Sequence, residues 1–403
     1  MSDAGMQDAT SHNVPPGWLK QKPTAAIVFG DGTVLPGVGL GAHGHAVGEL
    51  CFNTAMTGYQ EILTDPSYSG QIITFTFPHI GIVGINDDDS ETANPAGVSG
   101  VLGAVFRARV HAQSNYRATH QLNDWLTARG IIAISEIDTR ALTHLIRTRG
   151  MPKAAITHNA TGEFDFDHLA QLVNEWPGIE GKDLAGDITV SQPFSSDVTP
   201  WKWPLGFSQR ETMKFRVVII DYGSKSNILR ELVGLGCDIH IVSAHASIDE
   251  ILGLQPDGVV LSNGPGDPVA TGSYALVTIR ALLNAKMPIF GICLGHQLLA
   301  LALGAKTKKM SFGHHGANHP VLDIATGKVE ITSMNHGFTV DSQSLPAGVK
   351  ETHRSLFDGT NCGVSAPEHN AFSIQHHPEA SPGPHDSGHL FTQFLGAMEE
   401  RQI

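Results

Sequence analysis

Between Pro288 and Gly304 the chain reads Pro-Ile-Phe-Gly-Ile-Cys-Leu-Gly-His-Gln-Leu-Leu-Ala-Leu-Ala-Leu-Gly, and no other stretch restricts the fold as tightly. The short apolar run after Pro288 predicts a buried strand. The Leu/Ala-rich run after Cys293 predicts a helix that stops at Gly304. Cys293 therefore falls where a strand turns sharply into a helix. Gly291 and Gly295 flank it in the spacing G-x-C-x-G, the cysteine counterpart of the G-x-S-x-G nucleophile elbow. The glycines are expected to keep the turn tight and free of side chains that would block a substrate. A thiol at a helix N-terminus meets unpaired N–H groups and the positive end of the helix dipole, both of which favour thiolate. The Leu294 amide is placed to donate to an oxyanion. Free cysteine is also a common small hydrophobe of core strands, so the elbow acquires meaning only with a base.

The stretch around the elbow alternates strand and helix. Strands are expected over 215–221, 238–242, 258–262 and 288–292, with helices over 224–235 and 273–284 between them. That alternation predicts an α/β fold, a doubly wound and mostly parallel sheet, whose active site lies beyond the carboxyl ends of the strands. After Gly304 shorter antiparallel strands are expected, then a closing helix over 388–401. The first half is mixed. A hairpin with an Asp-Gly turn is expected over 25–35, β-like runs over 49–54, 71–77 and 101–110, and helices over 119–129, 138–149 and 167–176. The resulting division is a leader (1–22) too polar to bury a core, a smaller mixed α+β N-terminal domain (23–195), a Pro/Trp-bearing linker (196–213) and the α/β domain (214–403).

A net charge of −13 argues against nucleic-acid binding, which needs a basic face. No stretch is long and apolar enough to span a membrane, and the polar start has no secretory pattern. Cys51, Cys237, Cys293 and Cys362 are scattered without a C-x-x-C pair, as expected of reduced thiols in a cytoplasmic protein.

The base is expected in Gln375-His376-His377-Pro378-Glu379, which follows the strand-like 371–374. An imidazole must be held in one tautomer to take a thiol proton, and a carboxylate two residues on can do this. Asn263-Gly264-Pro265-Gly266-Asp267-Pro268 follows the strand 258–262, where bare backbone can approach a ligand; no Lys-Ser/Thr follows, so it is not a Walker loop. Gly39 to Gly44 matches G-x-G-x-x-G but precedes a β-like run and lacks the helix that receives a pyrophosphate. Asn86 to Glu91 hints at a calcium loop, but Thr92 stands where the motif needs glycine, and a solvated acidic loop is expected. Gly313 to His319 is rich in histidine without metal-ligand spacing; a hydrogen-bonded loop and no metal site is expected.

With Gly-Ile-Cys-Leu-Gly-His-Gln, Asn-Gly-Pro-Gly-Asp-Pro and His-Pro-Glu in this order, the C-terminal half resembles the triad-type (class I) glutamine amidotransferases. Residues 312–320, 335–338, 378–386 and, in the first half, 56–68 resemble in particular the small, glutaminase subunits of carbamoyl-phosphate synthase. The resemblance runs from about residue 24 to the end. It implies that Cys293 attacks the glutamine side-chain amide, His377 shuttles the proton and Glu379 orients it. It places glutamine contacts on Ser67, Gly264, Gly266, Leu294, Gln297, Asn335, Gly337 and Phe338, with Ser67 reaching over from the first domain. It implies a large synthetase subunit as partner, which takes the ammonia for carbamoyl phosphate in arginine and pyrimidine synthesis and carries ATP and magnesium. No cofactor is expected in this chain. His376 stands where a glycine is usual, which opens the question of which histidine is the base. A non-catalytic glutamine-binding module and a different ammonia acceptor are the alternatives.

Overall fold

The computed structural model describes residues 22–94 and 100–402; the expected leader, apart from Lys22, lies outside them. Seven strands close into a barrel: β1 (Ala25–Phe29), β2 (Val34–Gly41), β3 (Gly44–Asn53), β4 (Gln71–Phe75), β5 (Gly103–Val105), β6 (Ile132–Ser135) and β7 (Lys153–His158), in the order β1-β2-β6-β5-β4-β3-β7. The hairpin β1–β2 pairs Val28 with Val34 and Ala26 with Pro36. Closure was not legible, because it depends on the short β5 and on the pairing of β1 with the distant β7.

Alternation along the strands explains the barrel's two surfaces. Leu50 and Ile72 join Ile27, Val105, Ile134 and Ile156 in one apolar cluster. Their neighbours Cys51 and Ile73 join Ile62, Leu63 and Leu126 in another, the pattern of strands buried on both faces. Four helices serve the barrel: α1 (Tyr59–Thr64), α2 (Leu122–Ala128), α3 (Thr139–Arg149) and α4 (Phe166–Glu175). Asp138 caps α3, accepting from the Arg140 and Ala141 N–H groups.

The second sheet has ten strands in the order β14-β13-β15-β16-β17-β12-β11-β9-β10-β8. Its parallel centre comprises β9 (Phe215–Asp221), β10 (Cys237–Ser243), β11 (Gly258–Leu261), β12 (Ile289–Ile292) and β17 (Ala371–Ile374). On β9, Val217 and Ile219 pack to one face, with Phe391 and Phe394 of the closing helix. Val218 and Ile220 pack to the other, with Ile279 and Leu298. After the short helix α5 (Ala185–Ile188), the remaining helices are α6 (Ser226–Gly234), α7 (Ile248–Gly253), α8 (Pro268–Asn284), α9 (Leu294–Leu303) and α10 (His389–Gln402).

Three expectations need correction. The expected boundary between residues 195 and 196 falls inside β8 (Phe194–Ser196), an antiparallel edge on β10, and within the expected linker Val198 pairs with Gln209. Helix α8 begins at Pro268, not at 273: Asp267 accepts from the Val269 N–H and proline occupies the first turn, so a Gly/Pro-rich loop conceals a helix start. The antiparallel strands after Gly304 are long. β13 (Thr307–Asp323) and β14 (Val329–Val340) form a bulged ribbon, followed by β15 (Lys350–Ser355) and β16 (Asn361–Ala366). Bulges between Lys309 and His314 and between Gly316 and His319 let Gly- and His-rich sequence remain in the ladder.

Candidate active site

Cys293 sits between β12 and α9 at φ 53° and ψ −103°, a left-handed conformation that a side-chain-bearing residue adopts only when its surroundings enforce it. Its N–H donates to the Ile374 carbonyl of β17 at 2.9 Å, and its thiol meets the Asn335 carbonyl at 3.4 Å. The flanking glycines keep this turn tight, as expected. A Cβ on Gly295 would lie 2.1 Å from the Leu261 carbonyl oxygen, and one on Gly291 would lie 2.7 Å from the Gly295 carbonyl oxygen. Gly295 lets α9 press against β11, and Gly291 lets the first turn of α9 sit close on β12.

From β17 the chain brings His377 and Glu379 to the same end of the sheet. His377 Nδ1 and Glu379 Oε1 are 2.7 Å apart, and both residues are buried. Among the described residues His377 Nε2 has no assigned hydrogen-bond partner, while the Cys293 sulfur lies close enough to act on the ring. Burial works against the imidazolium, but Glu379 and Cys293 outweigh it and hold His377 above its ordinary value. Burial likewise works against the Glu379 carboxylate, yet Lys225 and His377 hold it below the usual range. The neighbouring His376 is entirely buried, with both ring nitrogens unpartnered, and its ring lies against His353 at 5.6 Å. Between the two histidines, Glu379 is bonded to His377.

One cleft is lined by Cys293 together with Ser67, Gly264, Gly266, Gln297, Asn335, Gly337 and Phe338. Gln297 donates to the Phe338 carbonyl at 2.8 Å and to Gln375 Oε1 at 3.0 Å. Ser67 comes from the barrel half, where Asp65 accepts from its N–H at 2.9 Å; its hydroxyl oxygen accepts from Asn263 at 2.8 Å. Asp65 also accepts from Asn335 at 3.0 Å, so one buried carboxylate positions groups from both halves. Gly264 has bare backbone out of necessity: a Cβ would lie 2.1 Å from the Tyr222 carbonyl oxygen. Leu294 does not line the cleft; its side chain packs in the core, leaving its amide at the start of α9 as the group that can face a ligand.

Sequence reasoning missed Lys225. Its ammonium lies 3.0 Å from Glu379 Oε1, with both side chains buried, and it also donates to the Ala380 carbonyl. Burial opposes that charge, but Glu379, Glu91 and Asp65 together hold Lys225 above its ordinary value. Its place just after β9, at the carboxyl edge of the sheet, was the available signal. Glu49 and Gln71 of the barrel also line the cleft, Glu49 paired to Lys309 at 2.7 Å; nothing in their local sequence marks them.

The rejected motifs have structural explanations. Gly39 to Gly44 lies where β2 runs into β3, with no helix following. His314 pairs with Asp358, His315 with Asn335 and His336 with the Phe338 carbonyl. No group of three or more metal-ligating side chains occurs among the described residues. The acidic run 86–91 is not simply solvated: Arg117 bridges Asp88 and Asp89, and Glu91 is buried. No helix among the described residues is long and apolar enough to cross a membrane.

Comparison with known proteins agrees with both halves. Residues 27–156 match the carbamoyl-phosphate synthase small chain CPSase domain, and residues 218–397 match glutamine amidotransferase class-I. The chain is 59% identical over 393 residues to the carbamoyl phosphate synthase small chain of Bradyrhizobium diazoefficiens, covering 98% of this chain and 99% of that one. It is 59% identical to the small chain of Mesorhizobium japonicum, covering 96% of this chain and 97% of that one. Identity to the small chain of Rhizobium meliloti is 56%, with the same two coverages.

Proposed function

The chain belongs to the carbamoyl phosphate synthase small-chain family, the glutaminase subunits of that enzyme, and on that premise we propose that Cys293, His377 and Glu379 carry out its glutamine hydrolysis. The observation that supports this most is the ring of His377, fixed through Nδ1 by Glu379 and acted on by the nearby Cys293 sulfur.

His377 holds the thiol proton as its imidazolium while Cys293 Sγ attacks the side-chain amide carbon of glutamine. The tetrahedral oxyanion is held by the Leu294 N–H and the backbone of Gly264 to Gly266, donors whose individual loss typically costs on the order of 10²–10³ in rate. His377 then protonates the departing nitrogen, ammonia leaves, and a thioester remains on Cys293. Water, activated by the same imidazole, hydrolyses the thioester to glutamate and frees the thiol. Ser67, Gln297, Asn335, Gly337 and Phe338 hold the substrate. Glu379 keeps one tautomer of His377 presented, and Lys225 keeps that carboxylate ionised.

Ammonia released into water would be protonated and lose its nucleophilicity. The reading therefore includes a shielded transfer to a large synthetase subunit, which supplies ATP and magnesium from its own sites, in the cytoplasm. The test is Cys293→Ala in the complex with that subunit. Glutamine-dependent carbamoyl phosphate synthesis is expected to vanish while ammonia-dependent synthesis survives. Persistent glutamine use would overturn the nucleophile assignment.

A further inference from the structure

We infer that Glu91, supplied by the barrel half, is a positioning residue for the His377–Glu379 pair: it fastens the chain just beyond Glu379 and shares the Lys225 ammonium with that carboxylate. The inference rests on the roles given above to His377 and Glu379.

Glu91 is 1% exposed, although it closes a run of acidic residues that reads as a solvated loop. The barrel half holds it by its backbone, with the Thr64 hydroxyl accepting from the Glu91 N–H at 2.9 Å. Its carboxylate faces entirely into the other half. Oε2 accepts from the Asn227 N–H at 3.0 Å, and Oε1 accepts from Arg230 at 3.3 Å and from the Ser381 hydroxyl at 2.8 Å. Its carbonyl accepts from the Ser226 N–H at 2.9 Å. The Arg230 guanidinium in turn lies over the Phe207 ring at 4.4 Å. A buried carboxylate surrounded by donors in this way is costly to leave unpaired and therefore fixes the geometry around it.

The segment it fixes needs holding. Ala380 and Ser381 have φ values of 57° and 56°, two consecutive left-handed residues without glycine, a backbone that persists only where its surroundings enforce it. Lys225 donates to the Ala380 carbonyl, Asn227 to the Glu379 carbonyl at 2.6 Å, and Ser381 to Glu91. The hydroxyl bond to Glu91 is the one of these three that the barrel half supplies.

Glu91 also acts through charge. Lys225 is drawn to Glu379, Glu91 and Asp65. Around these groups lie Arg230, Glu61 with Asp89 beside it, Glu231 near Glu379, and His376 beside His377. Neutralising Glu91 leaves Lys225 less compensated, so more positive potential reaches His377. The imidazolium then gives up its proton at a lower pH.

The test compares glutamine hydrolysis by the full chain carrying Glu91→Gln, Glu91→Ala or Ser381→Ala. Glu91→Gln is expected to lower kcat roughly tenfold with KM changed less than about twofold, and to move the alkaline limb of the pH profile to lower pH. Ser381→Ala, which keeps the Glu91 charge, is expected to lower kcat without moving that limb. A cysteine-alkylating glutamine analogue is expected to label Cys293 in every variant. An unchanged limb in Glu91→Gln, or a lowered unfolding midpoint with kcat intact, would overturn the inference and leave Glu91 a structural pin. If Glu91→Gln or Glu91→Ala fails to fold, an unchanged kcat in Ser381→Ala overturns it alone. Failure of the unmodified chain to be labelled at Cys293 would instead refute the assignment of the nucleophile.

Discussion

Replacing Gly295 by alanine adds one methyl group at the second residue of α9, and the structure leaves no room for it. The new carbon would lie 2.1 Å from the Leu261 carbonyl oxygen, 2.6 Å from its carbonyl carbon and 2.7 Å from its Cβ. Two of these are backbone atoms of β11, a strand locked between β9 and β12, so the helix must yield. Restoring an ordinary 3.4 Å contact moves its first turn by about 1.3 Å, the difference between the two distances. The shift also stretches the bond from the Gly295 N–H to the Ser262 carbonyl, now 3.0 Å. Overpacking of this kind costs about 1–3 kcal/mol. Cys293 rides on the same turn, and a misplacement near 1 Å costs on the order of 10²-fold in rate. Thermal unfolding and the rate of glutamine hydrolysis measure the two effects. Gly337→Ala serves as the comparison, because its Cβ would meet only the mobile Met151 methyl, at 3.4 Å; its stability is expected to change little. Gly295→Ala with unaltered stability and kcat would refute the steric reasoning.

Other predictions follow from the same geometry. His377→Asn is expected to lower kcat for glutamine by roughly 10²–10⁴, the usual contribution of a general base, whereas His376→Leu keeps kcat within a few-fold; the reverse ranking in a steady-state assay would exchange their roles. Stability should also depend on pH through His377. Its value is raised in the folded chain, so its contribution is complete below the unfolded imidazole value near 6.5 and fades as pH rises through the folded value. Denaturant titrations are expected to show a loss of stability on that alkaline side that is smaller in His377→Asn; an identical slope in both proteins would contradict the raised value.

What the sequence disclosed depended on how local each signal was. The elbow could be read because a strand, a turn and a helix sit within seventeen consecutive residues, from Pro288 to Gly304, each with its own composition. The tie between His377 and Glu379 could be read because a two-residue spacing carries it. The barrel could not, since β1 closes on β7 across more than a hundred residues of chain, and no pattern within either strand names its partner. The ribbon β13–β14 was hidden by glycines and histidines that its bulges accommodate. Lys225 and Glu91 were hidden for a different reason. Lys225 is a lone charge in a polar segment and Glu91 the last of a run of acidic residues, both ordinary in isolation, and each becomes distinctive only when tertiary packing buries it beside Glu379 or its flanking chain.

The proposed chemistry rests on one thiol of four. Cys51, Cys237, Cys293 and Cys362 are all buried, so exposure alone does not distinguish them; Cys293 alone of the four lines the cleft with the residues assigned to glutamine. Incubating the unmodified chain with a cysteine-alkylating glutamine analogue and mapping the adduct by peptide mass spectrometry tests this directly. A single adduct is expected on Cys293, formed in step with loss of glutaminase activity and suppressed by glutamine. Modification of Cys51, Cys237 or Cys362 in its place, or loss of activity with Cys293 unmodified, would contradict it.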